Sequence, residues 1–391
     1  MKLPRFFSLG FSEIKNMTQT KKILVLLILN LPILVFSQQQ IDFYSGYNTP
    51  LFSPNDKYLS FAGDSADGVF VYSLLDEKIV QISAGKSSGY KYLWSPDGKY
   101  LCFKHLIEIK PNEEFLQLPV IYNVEKQEYI PLCEPQQLCG IPSVSTDGKI
   151  VFSVNNKIKV LNKELQVVDE ILIPNYSNIT PISPNGKYVL YNDEDDQIWL
   201  VDLDTKIHKK ISDGKEGYFN PIWSPDSKKI IFNTITGHIK VYELDTQKLY
   251  YLDKGFNPTW DSSSEYVFYH RVDTQGDGFG RPFEVVKSVL CAIKYTGADK
   301  TELSSLEDGF VGQCTVASKG NKVVYKNFNE SKFYIVPLKI TKTSFLGLPG
   351  VMPRTRIELE KTQKQEIKFV SKENKTIDND VIKKFSIKLK N

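Results

Sequence analysis

Histidine is scarce in this chain, four among 391 residues, and a metal centre built on two or three imidazoles has little material to draw on. The sequence has no H-E-x-x-H helix, no P-loop and no G-x-S-x-G elbow set between a strand and a helix, so zincin, nucleotide-binding and serine-hydrolase readings find no anchor, and no cofactor is expected. Long apolar runs are absent save one, Ile23 to Phe36. Those fourteen residues would span about 21 Å as a helix, short of the roughly 30 Å hydrocarbon core of a bilayer. Neither sign of charge dominates, with 49 Lys+Arg against 46 Asp+Glu. No basic stripe runs through the text, so nucleic acid is not an expected partner. Cysteine is sparse too, and five residues allow at most two disulfides and a spare thiol.

What is present begins at the N-terminus. Lys21 and Lys22 precede the apolar run and Ser37 follows it, the layout of a secretory signal peptide cleaved after Ser37. Met17 makes the more compact start. Residues 1–37 are therefore expected to be removed, with no stable membrane insertion afterwards, and no cysteine stands at the cleavage point to carry a lipid. The segment has the character of Bacteroidetes signal peptides, and a periplasmic or secreted location in a Gram-negative cell follows. Without those residues, which hold five basic and one acidic side chain, the charge is 44 minus 45, or −1. From Leu338 onward thirteen basic and six acidic residues give +7, which leaves −8 for residues 38–337. An acidic body carries a basic extension.

The body repeats itself. "WSPDGKYLCF" from Trp94 returns as "FSPNDKYLSF" from Phe52, "ISPNGKYVLY" from Ile182 and "WSPDSKKIIF" from Trp223. Aligned by the turn, seven copies are anchored at Ser53, Ser95, Ser145, Ser183, Ser224, Asp261 and Ala317, spaced 42, 50, 38, 41, 37 and 56 residues apart. A type I turn favours Ser or Asp first, Pro second, Asp or Asn third and Gly fourth, and Ser-Pro-Asp-Gly supplies all four. Apolar residues precede the turn, and stretches rich in β-branched and aromatic residues follow it. A period near 40 with four strand-like stretches per repeat predicts an all-β, seven-bladed propeller, or six-bladed if the weak last copy is no blade. "QIDFYSG" from Gln40 matches the outer strands of later repeats and is expected to close the ring on the last blade. The rhythm stops after Pro337, so residues 38–337 are read as the propeller and 338–391 as a C-terminal extension.

The aromatic-Ser-Pro-Asp-Gly-Lys text resembles the repeat of TolB-type, WD-repeat-like propellers over residues 40–337. The resemblance implies the fold and, in one branch, a carbohydrate-active enzyme similar to oligogalacturonate lyases. The chain lacks the small α/β domain that precedes the TolB propeller, and it lacks a hydrolase domain.

Loops entering the inner strands and loops joining the second and third strands of each blade emerge on one face of a propeller. The entry loops carry Tyr47, Tyr90, Tyr218, Phe219, Phe256 and Phe310, suited to stacking on sugar rings or anchoring a protein, or to plugging the gaps between blades. Repeats two and six have the longest second-to-third loops. Each sets a histidine at the expected strand exit, His105 and His270, with Arg271 and Arg281 near the latter; these are material for a metal-assisted or acid–base site, or polar loop packing. "NDEDDQ" from Asn192 reads as a solvated hairpin turn. Cys133 and Cys139 stand close enough in sequence to form a disulfide. Two functions follow: a non-catalytic exported propeller that binds an envelope protein or glycan, or an enzyme of the lyase type just named.

Overall fold

The repeated turn folds as its side chains dictate. In the second copy the Ser95 hydroxyl donates to Asp97 Oδ1 at 2.6 Å and accepts the Tyr100 amide at 2.9 Å, while Asp97 Oδ1 takes the Lys99 amide at 3.0 Å. Gly98 donates its amide to Ser95 O at 2.8 Å and lies at φ +68°, where a side chain is strained. Equivalent bonds stand at Ser53, Ser183 and Ser224, and in the sixth copy Asp261 Oδ1 takes over the serine's part by accepting the Tyr266 amide at 2.9 Å. Each hairpin thus satisfies its own polar groups before any blade meets another.

The structure, a computed structural model, describes residues 47–110, 114–276, 284–343 and 354–368. The expected signal peptide, the expected closing strand Gln40 to Gly46 and Arg281 lie outside them. Seven small antiparallel sheets follow in chain order, over 48–83, 93–131, 143–172, 182–210, 218–254, 256–302 and 311–366, and form a seven-bladed β-propeller. The weak copy at Ala317 forms a blade of its own. In the fourth blade a single bridge, Ile182 to Val189, stands in for an inner strand.

Alternation along a strand sends successive side chains to opposite faces, and in a radial sheet those faces meet different neighbours. In the second strand of blade two, Leu101 and Phe103 pack against blade one, and Cys102 packs against blade three. Seven hydrophobic clusters result, one between each pair of adjacent blades. The cluster of Phe52, Leu59 and Phe61 with Val324, Phe333 and Ile335 joins the last blade to the first.

Polar latches reinforce these interfaces. The indole of Trp223 donates to Pro181 O at 3.0 Å and that of Trp260 to Ile222 O at 3.3 Å, each reaching back one blade, which explains the tryptophan ahead of the turn. One step beyond the second-strand aromatic, a polar residue reaches forward to a carbonyl of the next blade's incoming chain. Lys104 bonds Cys139 O at 3.0 Å, Asn192 bonds Tyr218 O at 2.9 Å, and Asn233 bonds Gly255 O at 3.1 Å. Lys326 does the same across the seam, bonding Tyr47 O at 3.1 Å, and Asp56 adds bonds from the Ser318 and Lys319 amides at 2.6 and 3.0 Å.

Blade seven differs at its outer edge. Its third strand, Lys332–Thr343, runs through Pro337 without a break. Arg354–Leu359 pairs with its second half, and Gln365–Glu366 pairs with Tyr334 and Ile335. Among the described residues the outer place is thus filled from the C-terminal side, and residues 338–343 and 354–366 of the extension form part of the blade.

Candidate ligand face at the channel mouth

Four residues before each turn anchor, in or just ahead of the inner strands, stand Thr49, Lys91, Ile141, Ile179, Asn220, Asn257 and Gln313. At Thr49, Asn220, Asn257 and Gln313 the backbone is left-handed, with φ between 48° and 56°. The pairing to the second strand slips at the same four places. These are β-bulges, which re-aim a side chain that a flat strand would send to a blade face. The consequence is visible at Asn220, whose Oδ1 accepts a bond from Lys91 Nζ at 2.5 Å. Blades two and five are as far apart as two blades of seven can be, so this bond crosses the central channel.

Aromatic rings flank the crossing. Tyr90, Phe219 and Phe256 each immediately precede one of these inner-strand residues, and they are 52%, 41% and 47% exposed. Phe256 lies over the His270 ring with centroids 5.5 Å apart. On the blade-three side, Lys104 is enclosed by neutral oxygens, Gln117 Oε1 at 2.7 Å, Asn178 Oδ1 at 2.5 Å and the Tyr176 hydroxyl at 3.3 Å besides Cys139 O. Burial holds both Lys91 and Lys104 down to about 8.

The other residues singled out from the sequence are placed differently. Tyr218 is not at the mouth: it is 1% exposed, bonds Asp213 through its hydroxyl and packs edge-on against Phe232 between blades four and five. Tyr47 is half-buried with its ring 4.8 Å from that of Phe70, in a cleft of about 430 Å³ shared with Asp64, Ser65 and Asp67. Phe310 is half-buried in the entry to blade seven.

Neither His105 nor His270 sits at a strand exit. Tyr100–Lys110 and Tyr266–Gln275 continue well past them as long hairpins, paired with Glu114–Asn123 and Glu284–Lys294. His105 faces the interface of blades one and two, where its Nδ1 lies 3.2 Å from Ser83 Oγ. His270 faces blade seven against Gly312. The two imidazoles occupy separate interfaces, and Arg271 is engaged by Asp273 at 3.1 Å and Glu302 at 2.8 Å. The expected histidine–arginine site is not assembled. Among the described residues no group of three or more His, Cys, Asp or Glu is arranged to hold a metal.

Two further sequence features are now placed. Gly85-Lys86-Ser87-Ser88-Gly89 spells G-x-S-x-G, but it forms a turn between two strands, with the Ser87 amide donating to Asp67 Oδ1 at 2.7 Å, and no helix follows it. Asp193 uses one carboxylate oxygen on the amides of Asp195 and Gln197 and the other on the Trp199 indole at 2.7 Å, which makes "NDEDDQ" a turn. The Cys133 and Cys139 sulfurs are free thiols 3.8 Å apart.

Comparison with known proteins agrees with the geometry. A chain of the crystal structure of the mitotic checkpoint complex superposes with a TM-score of 0.52 at 14% identity, covering 75% of this chain and 89% of that one. The fold is a WD-like propeller. No family model matches the chain, and no curated protein matches it.

The inner-strand ring and the forward latches were missed from sequence, although both occupy fixed offsets from the turn anchors. The signal was a recurring polar residue nine positions after the anchor, Lys104, Asn192, Asn233, His270 and Lys326.

Proposed function

We propose that the protein is a non-catalytic, exported propeller of the TolB type whose loop face binds a protein or glycan ligand at the cell envelope. The observation that carries this reading is the group of three exposed rings, Tyr90, Phe219 and Phe256, beside the channel-mouth residues Lys91, Asn220 and Asn257. Exposed aromatics on a rigid scaffold anchor partners because they bury much area at little entropic cost. By contrast, the ionisable groups suited to acid–base work are sunk in blade interfaces or held in ion pairs. The test is capture of a ligand from envelope extract by immobilised mature protein, with and without the triple substitution Tyr90→Ala, Phe219→Ala and Phe256→Ala. Capture lost by a variant that melts normally supports the reading; undiminished capture by the triple variant rejects this face.

A further inference from the structure

Lys91 is a charge placed without a counter-charge. Lys229 pairs with Asp226 at 2.9 Å, Lys240 with Asp213 at 3.2 Å and Glu216 at 3.5 Å, and Lys104, which has no carboxylate, is surrounded by four neutral oxygens. Lys91 forms no ion pair among the described residues, and its bond goes to the neutral Asn220 amide. A half-buried ammonium with only a neutral partner is less well stabilised than one with a carboxylate, and an incoming anion would relieve it. Its depressed pKa has that same cause.

We propose that the channel mouth captures the free carboxylate of a peptide, with Lys91 and the Asn220 side-chain amide on the carboxylate and the rings of Tyr90, Phe219 and Phe256 on the apolar side chains behind it. This rests on the loop face being a ligand face. Three features specify the occupant. An ammonium next to an amide N–H₂ matches the two oxygens of a carboxylate with charge-assisted bonds. The Lys91–Asn220 bond bars the channel, so the group that reaches it is the tip of a ligand and not the middle of a threaded chain. Two of the three rim rings are phenylalanine, without the hydroxyl or indole N–H that would answer sugar hydroxyls, and apolar side chains match them better.

The probe is a pool of N-acetylated tripeptides with Leu, Phe or Val at the last two positions, made once with a free C-terminal carboxylate and once as the carboxamide. Binding to the full mature chain is followed by calorimetry beside digalacturonate. The acid pool binds, and the carboxamide pool binds at least about tenfold more weakly, the loss expected for one charge-assisted hydrogen bond. Lys91→Gln gives the same loss, Lys91→Arg retains binding, and thermal melting confirms that both variants fold. Equal binding of acid and amide, undiminished binding by Lys91→Gln, tighter binding of digalacturonate, or no binding of the acid pool overturns the proposal. Should the Tyr90, Phe219 and Phe256 triple variant still lose envelope capture in any of these cases, only the peptide assignment fails and the ligand face stands.

Discussion

At the residue scale, the two buried histidines couple folding to pH. Burial lowers His105 from 6.5 to about 4, and it lowers His270 likewise, partly offset by a hydrogen bond with the Phe256 backbone. The folded chain therefore refuses a proton that the unfolded chain accepts. Stability from these groups is complete above pH 6.5 and is lost as pH falls towards 4, with a ceiling of about 3 kcal/mol for each histidine. Replacing His270 with Gln removes one titrating group. The urea midpoint of wild type is expected to fall more between pH 7 and pH 4.5 than that of His270→Gln; parallel declines would show that His270 titrates normally when folded. Carboxylates contribute to both proteins alike, so the difference isolates the imidazole.

At the element scale, the C-terminal strands act as the edge of the last blade. Ile357 and Ile367 are 1% and 4% exposed, and they cover Leu338 on one side and Phe333 and Ile335 on the other. Ending the chain at Thr343 removes both isoleucines and uncovers the edge of Lys332–Thr343. Losing two buried aliphatic side chains costs on the order of 4 kcal/mol, and a bared edge invites association between chains. The shortened chain should melt at lower temperature and elute as larger species in size-exclusion chromatography; an unchanged melt and elution would make the extension dispensable. The sequence carried the turns plainly, because a type I turn accepts few residues at each position. It also carried the blade count. It did not carry the fate of the strands in blades two and six, since "LIEIK" reads equally as the start of a loop or as more strand until the partner that pairs with it is known. The same ambiguity misplaced Tyr218. It precedes Phe219 by one residue, and only the register of the inner strand decides that the first is buried and the second exposed.

At the scale of the whole molecule, the ring has one interface that no described stretch of the peptide chain bridges. Six interfaces are spanned covalently by the connection from one blade to the next, whereas the seam between blades seven and one is held by side chains, by its hydrophobic cluster, and by bonds such as Thr49 N to Gln313 Oε1 at 3.2 Å. Opening an ordinary interface frees a tethered pair. Opening the seam separates two blades that no described stretch of chain tethers and turns a closed ring into an arc, with a greater gain of conformational freedom. The crossing bond from Lys91 to Asn220 depends on closure as well, because an arc would no longer hold blades two and five opposite each other. Seam latches are thus coupled to the channel mouth, and legibility ended there for a physical reason: which inner-strand residues meet across the axis is fixed by the closed circle and not by any local pattern. The double variant Asp56→Ala with Lys326→Met removes the charged latches of the seam and leaves the other six interfaces intact. Native-state hydrogen exchange should show amides of Asn48–Phe52 and Val311–Val316 losing protection together, while those of Lys229–Thr234 and His238–Glu243 in blade five keep it. Equal loss in every blade would mean that the ring opens anywhere, and that its first and last blades meet as tightly as neighbours joined by chain.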